Sequence, residues 1–236
     1  MSALAAPRVV DDETRLLAEL VPLAGARVVD LGCGAAEFSR RLLEGGLVAS
    51  VEALEVDRVQ HARNLAAPAV PGLAFGEGGA DDIPFAEGTF DLALMLKSLH
   101  HVPPARLDRA LDEVARVLRP GGWLYASEPV FAGDFNEIMR IFHDEEAARA
   151  AAIDAIARSV ARGRFEALAQ VHFVAPIAFR DFADFETRMM GVTHSALDRS
   201  GATVARVRER FDRHLGPAGA RFDRPMRVDL LRKMAP

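Results

Sequence analysis

Short apolar runs alternate with longer amphipathic segments through the first half of the chain. Five runs rich in β-branched and leucine residues end at glycine or polar positions, which predicts buried strands near 28–31, 51–56, 73–75, 90–96 and 123–127. The intervening segments 38–43, 58–65 and 105–118 have helical spacing. Strands that alternate with helices predict a parallel, doubly wound α/β sheet with right-handed crossovers.

The pattern changes after Pro129. Helical spacing predicts helices at 137–142, 144–160, 181–190 and 203–214, and apolar runs predict strands at 171–179 and 224–233. A further helix is predicted at 11–20, where an Asp cap precedes three leucines on one side, and we expect it to pack over a ligand mouth or the sheet edge. Because there is no repeat or low-complexity linker, a single domain is predicted, with a division near residue 130 as the alternative.

Composition narrows the function classes. The net charge is −5, from 29 basic and 34 acidic residues, which argues against non-specific nucleic-acid binding. No apolar run approaches the length of a membrane span and the N-terminus lacks a signal pattern, so a cytoplasmic protein with no membrane partner is predicted. The single cysteine, Cys33, excludes an internal disulfide and is interpreted as a small residue in a crowded turn.

The segment from Val28 to Leu42, VVDLGCGAAEFSRRL, carries the most chemical information. Gly32 and Gly34 flank Cys33 between a predicted strand and a predicted helix. Glycine lets the backbone approach a ligand closely, and the first turn of a helix supplies unpaired N–H groups. Glu55 follows Asp30 by 25 residues, near the spacing of about 20 that is typical of a ribose-binding acid.

Three later blocks complete a pattern. They are GGADDIPF at 78–85, FDLALMLKSLHHVP at 90–103 and VLRPGGWLYASEP at 117–129. Their order and spacing resemble the class I S-adenosylmethionine (SAM)-dependent methyltransferases, in the UbiE or methyltransferase-11-like small-molecule branch, over about 24–129. The resemblance implies a Rossmann-like sheet of seven mostly parallel strands, with an antiparallel last strand between the fifth and sixth. It also implies a single domain made of an N-terminal helix (1–23), a SAM-binding half (24–130), helical cap and substrate elements (131–219) and the final strand (220–236).

The resemblance also implies roles at the SAM site. Asp30 would support the methionyl ammonium, and the backbone from Gly32 through Cys33 to Gly34 would approach methionine and ribose. Glu55 would take both ribose hydroxyls. Asp57 is its rival, with capping of the following helix as the alternative role.

The remaining cofactor contacts involve adenine and the end of the fourth strand. Val56 would pack against adenine, with the backbone of Ala80 near the ring and Asp81 at the amino group, since Gly79 stands where the family often has an acid. A backbone carbonyl of Leu96 or Lys97 would hold the ammonium.

Histidines are the candidate general bases for an acceptor that carries a proton near neutral pH. His100 and His101 follow the fourth strand, and His143 lies in the predicted cap. Adjacent residues on a strand point to opposite faces, so His100 and His101 are predicted to be poorly placed for ligating one metal, and no metal site is predicted. Arg180 and His172 flank the sixth strand and are candidates for contact with an anionic substrate.

Two other functions compete with methyl transfer to a small molecule. A nicotinamide dinucleotide oxidoreductase would use the same turn, but its fingerprint needs a glycine where Glu37 stands, and an acid there would repel a pyrophosphate. A SAM-binding protein without catalysis is the second alternative. The Ala-rich helix 144–160 is a candidate homodimer face or lid.

Overall fold

The computed structural model describes residues 8–192 and 197–234. The chain forms two compact units. The larger unit comprises Asp12–Glu128, Ala148–Val171 and Arg227–Pro236, and the smaller comprises Met1–Asp11, Pro129–Ala147 and His172–Met226. Two long strands run from one unit into the other, and the prediction of a single domain stays a prediction.

The sheet has the predicted α/β topology. Its strands are β1 Arg27–Leu31, β2 Ser50–Glu55, β3 Leu73–Glu77, β4 Phe90–Leu96, β5 Leu118–Pro129, β6 Phe165–Phe179, β7 Leu215–Gly216 and β8 Gly219–Lys233. Their order is β3-β2-β1-β4-β5-β8-β6, with the two-residue β7 paired antiparallel to β8. The pairs from β3 to β5 are parallel. The Rossmann-like fold class is therefore confirmed, including the last strand between the fifth and sixth long strands.

The helices agree with most of the predicted segments. They are α1 Glu13–Leu20, α2 Glu37–Glu44, α3 Arg58–Ala66, α4 Leu107–Val117, α5 Gly133–Met139, α6 Glu146–Ala161, α7 Phe182–Phe185 and α8 Gly201–Asp212. Short 3₁₀ turns lie at Leu99–His101 and Pro104–Arg106, and a π-helical turn at Glu186–Met190 follows α7. Within the two described ranges, none of these helices has the length and apolar character needed to cross a bilayer.

Side-chain caps explain where two of the helices in the larger unit begin. Asp12 accepts the backbone N–H of Thr14 at 3.1 Å before α1. Asp57 accepts the backbone N–H groups of Val59 and Gln60 before α3. Both carboxylates satisfy N–H groups that the first helical turn leaves without an intrahelical acceptor.

The fifth strand begins earlier than the sequence predicts. Phe90 pairs with Leu118 and Leu92 pairs with Trp123, so four residues around the Pro-Gly-Gly segment are accommodated inside the strand as an irregularity. Gly121 has φ +74°, a conformation that glycine adopts without steric cost. The predicted turn is therefore part of β5.

Each unit has its own apolar core. In the larger unit, strand residues such as Val29, Ala93 and Leu124 are fully buried with Leu111 and Val114 of α4. In the smaller unit the core is mainly aromatic, and it contains Phe135, Phe142, Phe179, Phe182, Phe185, Phe211 and Phe222. The central parallel strands β1 and β4 are buried on both faces, as a doubly wound sheet requires.

Candidate active site at the carboxyl ends of the strands

The glycine turn after β1 is held tightly against its neighbours. The backbone N–H groups of Gly32 and Cys33 donate to the carbonyl of Leu54 at 2.9 and 3.0 Å. Gly32 has φ +72°, and a Cβ added there would lie 2.8 Å from Cβ of Ser98. A side chain at position 32 is thus excluded by both backbone conformation and contact. The same turn continues through Gly34, at φ +55°.

Ala36 stands at the third small position of the turn and directly before α2. It is buried and left-handed, with φ 54° and ψ 29°, and it provides no side-chain cap for the helix. A non-glycine residue in this region costs about 1 kcal/mol of conformational energy. Backbone strain is therefore located at the point where the glycine turn becomes α2.

Asp30 is a buried carboxylate at the end of β1. The hydroxyl of Ser39 donates to Oδ2 at 2.6 Å, whereas Oδ1 has no hydrogen-bond partner among the described residues. Burial raises the pKa of Asp30 to about 6, and the charge of Glu55 raises it further, against the lowering effects of Ser39 and Lys97. Oδ1 of Asp30 is therefore an acceptor that no described residue satisfies, at the carboxyl end of β1.

Glu55 at the end of β2 is fixed by three backbone donors. Its Oε1 accepts the N–H groups of Val56 and Asp57 at 2.8 and 2.9 Å, and its Oε2 accepts that of Gly34 at 2.8 Å. A carboxylate offers about four acceptor positions. One position therefore stays open, on Oε2, so binding two ribose hydroxyls at once requires the bond from Gly34 to open.

The acid two residues later has a different role. The Asp57 carboxylate caps α3. This is the alternative role that the sequence offered for Asp57 beside that of ribose ligand. Asn64 of α3 is buried and donates through its side-chain amide to the carbonyl of Gly34 at 2.7 Å. Helix α3 thus holds the glycine turn from the carbonyl side.

The predicted adenine residues lie near one another. Val56 is 61% exposed. A Cβ added to Gly79 would lie 3.5 Å from Cγ1 of Val56 and 2.9 Å from Oδ1 of Asp81. Oδ2 of Asp81 accepts from Arg106 at 3.2 Å. Ala80 is buried in the core of the larger unit. Val56 and Asp81 consequently offer an apolar contact and an anionic acceptor in one place.

Cys33 is partly buried beside two carboxylates. Burial raises the pKa of its thiol, and the charges of Asp30 and Glu55 raise it further. Its Sγ lies 3.7 Å from the side-chain amide nitrogen of Asn64. These surroundings favour the neutral thiol, whereas a nucleophilic cysteine needs an electropositive setting.

The exit from β4 joins the glycine turn to β5. Leu96 is the last strand residue, and Lys97 adopts φ +58° while its backbone N–H donates to the carbonyl of Ser127 at 2.7 Å. The hydroxyl of Ser98 donates to the carbonyl of Leu31 at 2.6 Å. The backbone after β4 is therefore anchored to both neighbouring strands.

His100 and His101 lie on a 3₁₀ turn, which corrects the prediction that adjacent strand positions send them to opposite faces. Their ring centroids are 4.1 Å apart at an interplanar angle of 41°. His100 is buried with Nδ1 against Oε2 of Glu128, and His101 is exposed. The strand ends at Leu96, so the period of two no longer applies to these residues.

His143 belongs to the smaller unit. Its Nε2 lies 2.8 Å from Oε1 of Glu145, and its backbone N–H donates to Met139 at 2.9 Å. In the same unit, Nη2 of Arg180 lies 3.3 Å from Oδ1 of Asp184. Solvent screens a surface ion pair of this kind, so it leaves the arginine available for other contacts.

Several residues at this edge escaped the sequence reasoning. Ser39, Asn64 and Glu128 each contact a predicted site residue or its turn. Glu128 follows the rule that identified Asp30 and Glu55, because it too is an acid at the carboxyl end of a buried strand. The other two lie in helices, where no spacing marks them.

Comparison with known proteins agrees with this geometry. Residues 29–126 match the family model described as a methyltransferase domain. Over residues 29–126, less than half of its length, this chain is thus similar to methyltransferase domains. The matched segment begins in β1 and ends in β5, so it includes the glycine turn, Glu55 and the histidine turn.

Two curated proteins illustrate the similarity in sequence. An uncharacterized methyltransferase of Mycobacterium tuberculosis (strain ATCC 25618 / H37Rv) is 39% identical over 105 residues, covering 44% of this chain and 40% of that protein. The 27-O-demethylrifamycin SV methyltransferase of Amycolatopsis mediterranei (strain S699) is 36% identical over 118 residues, covering 47% of this chain and 42% of that protein. The match therefore spans well under two thirds of the length of these relatives.

A solved structure supports the fold along nearly the whole chain. The YcgJ protein of Bacillus subtilis aligns with a TM-score of 0.66 at 15% identity, covering 94% of this chain and 98% of that one. At this identity the likeness concerns the fold alone. These matches do not favour a dinucleotide oxidoreductase.

Proposed function

We propose that the protein transfers a methyl group from SAM to a small-molecule acceptor. The observation that carries the proposal is the direct contact between the glycine turn and the Glu55 carboxylate, through the N–H of Gly34 at 2.8 Å. It brings a close-approach backbone and a fixed acceptor together at the carboxyl ends of β1 and β2, where doubly wound sheets bind ligands.

The charges at this edge suit the proposed cofactor. SAM carries a sulfonium and an ammonium, and the carboxylates of Asp30, Glu55 and Asp81 are complementary to positive charge. The unsatisfied Oδ1 of Asp30 is an acceptor for the ammonium, directly or through water. Glu37 is exposed in the first turn of α2, where a dinucleotide pyrophosphate would meet like charge.

The other cofactor contacts follow from the same residues. The open position on Oε2 of Glu55 accepts one ribose hydroxyl, and opening of the Gly34 bond admits the second. Val56 offers an apolar surface for adenine and Asp81 an acceptor for its amino group. Backbone carbonyls of Leu96 or Lys97 are further acceptors for the ammonium.

His100 is the proposed general base. When bound, SAM supplies a methyl carbon that a nucleophile attacks in line as the carbon–sulfur bond breaks and the thioether leaves. The protein's main contribution is alignment of the two reactants. Where the acceptor is a hydroxyl or amine, His100 takes the proton, because its turn is anchored beside Gly32 through Ser98. His101 and His143 are the alternative bases.

The small-molecule acceptor is supported by the relative whose printed name gives demethylrifamycin as its substrate. The acidic balance of the chain disfavours a nucleic-acid acceptor. Cytoplasmic location and homodimer formation remain proposals from the sequence.

Incubation with SAM labelled in its methyl group and a panel of small hydroxyl, amine and thiol acceptors tests this function. We expect label in a product that depends on the acceptor, with equimolar S-adenosylhomocysteine. A Glu55→Ala variant should lose turnover at low SAM, whereas Glu77→Ala, one strand away, should retain it. Transfer of label by both variants at equal rates would contradict the proposed site.

A further inference from the structure

The carboxylate of Glu128 holds the histidine turn at two points. Its Oε1 accepts the backbone N–H of Leu99 at 2.8 Å, and its Oε2 contacts Nδ1 of His100. The His100 and Glu128 side chains are only 3% and 6% exposed. One acid at the end of β5 therefore fixes both the backbone and the ring of the residue proposed as base.

This pair is built into the edge that carries the glycine turn. The N–H of Lys97 donates to the carbonyl of Ser127, the residue before Glu128, and Ser98 donates to Leu31, the residue before Gly32. The segment between β4 and the histidine is thus tied to β5 on one side and β1 on the other. Such anchoring leaves little freedom for the imidazole to reorient.

We propose that Glu128 is the positioning residue for His100, an inference that rests on the proposed function. A carboxylate accepts hydrogen bonds and cannot donate them when ionised, so it selects the imidazole tautomer with the proton on Nδ1. Nε2 is then the basic ring atom. The acceptor's proton moves to Nε2, Nδ1 keeps its own, and the ionised carboxylate stabilises the resulting imidazolium, as in other acid–histidine pairs.

A purely structural role makes a different prediction. If Glu128 served only to accept the N–H of Leu99, the neutral amide of glutamine would replace it without affecting the ring. In Glu128→Gln the amide oxygen can retain the Leu99 bond, and the amide NH₂ then faces Nδ1. A donor in that place favours the tautomer with the proton on Nε2.

Nitrogen NMR of the histidine rings distinguishes these roles in the full chain without any ligand. His100→Asn assigns the signal, and spectra up to pH 9 isolate the neutral ring. We expect the Nδ1–H form in the wild type and a shift to Nε2–H in Glu128→Gln. Glu113→Gln is the matched control, since Glu113 also accepts a backbone N–H, from Ile83, and contacts a cationic side chain. It should leave His100 unchanged.

Three results would overturn the inference. They are an Nε2–H wild-type ring, a tautomer that Glu128→Gln does not alter, and a ring that remains doubly protonated up to pH 9. Titration of the same samples with S-adenosylhomocysteine separates this failure from that of the proposed function. Binding with the wrong tautomer refutes only the role of Glu128, and absent binding refutes the cofactor assignment. With an acceptor in hand, Glu128→Gln should lower kcat by about 10²-fold or more while the KM for SAM stays within about twofold.

Discussion

Replacing Asp30 with asparagine tests the electrostatics of the site through folding stability. The native carboxyl is buried with its pKa raised to about 6 from an ordinary value of 3.8, mainly by burial. A carboxyl whose pKa is higher in the folded state than in the unfolded chain stabilises the folded state, and this contribution is fully present below pH 3.8. That stability is lost as the pH rises through 6, because the unfolded chain releases the proton first. Asparagine has no such dependence.

The magnitude follows from the two pKa values. A difference of about two pH units, at about 1.4 kcal/mol per unit, corresponds to about 3 kcal/mol over the full range. Between pH 5 and pH 8 the loss is about 1 to 2 kcal/mol. The wild type should therefore lose this much stability relative to Asp30→Asn across that interval. The constant cost of the unpaired amide beside Ser39 cancels in the difference.

Urea unfolding of both proteins at pH 5, 6, 7 and 8 measures the effect. The free energy of unfolding of the variant minus that of the wild type should rise with pH and level off above pH 7. A difference that is flat within 0.3 kcal/mol, or one that falls with pH, would refute the assignment of a buried, destabilised carboxylate at this position. The same variant should bind S-adenosylhomocysteine more weakly, because Oδ1 of Asp30 is the proposed acceptor for the ammonium.

Two further substitutions and one chemical modification test the residues near Asp30. Gly32→Ala should lower the free energy of unfolding in urea by at least about 2 kcal/mol more than Gly25→Ala does. Both glycines have positive φ, but only a Cβ at position 32 would meet Ser98, at 2.8 Å. Equal losses in the two variants would contradict the close contact. Asp57→Ala should lower the free energy of unfolding by about 1 kcal/mol, because α3 loses its cap, and it should leave the affinity for S-adenosylhomocysteine within about twofold. A large loss of affinity would instead identify Asp57 as a ribose ligand. Alkylation of Cys33 at pH 8, followed by mass spectrometry, should be at least about tenfold slower in the native protein than in urea, because the raised pKa keeps the thiol protonated. Equal rates would show that Cys33 is an accessible thiolate in the folded protein.

The sequence allowed prediction of those features that follow from periodicity and from acids at strand ends. Asp30 and Glu55 both terminate apolar runs, and the structure places both at the carboxyl edge of the parallel sheet. The same reasoning applied to Glu128, which directly follows the predicted strand 123–127, would have found it. An acid after an apolar strand is thus informative even where a turn signal precedes it.

Local geometry that depends on single dihedral angles was not predictable. The 3₁₀ turn at Leu99–His101 is too short to have a sequence period, so the relative placement of His100 and His101 was predicted wrongly. The three N–H groups that converge on Glu55 likewise depend on backbone angles that no residue pattern specifies. The extra lengths of β6 and β8 arise from pairing partners distant in sequence.

Calorimetric titration with S-adenosylhomocysteine, with NAD as a parallel ligand, tests the central claim most directly. Wild-type protein and Glu77→Ala should bind S-adenosylhomocysteine with micromolar affinity, and Glu55→Ala should bind it more weakly by about 1 to 3 kcal/mol, the cost of leaving buried partners unpaired. None of the three should bind NAD measurably. Clear NAD binding without S-adenosylhomocysteine binding would contradict the account and assign the glycine turn to a dinucleotide.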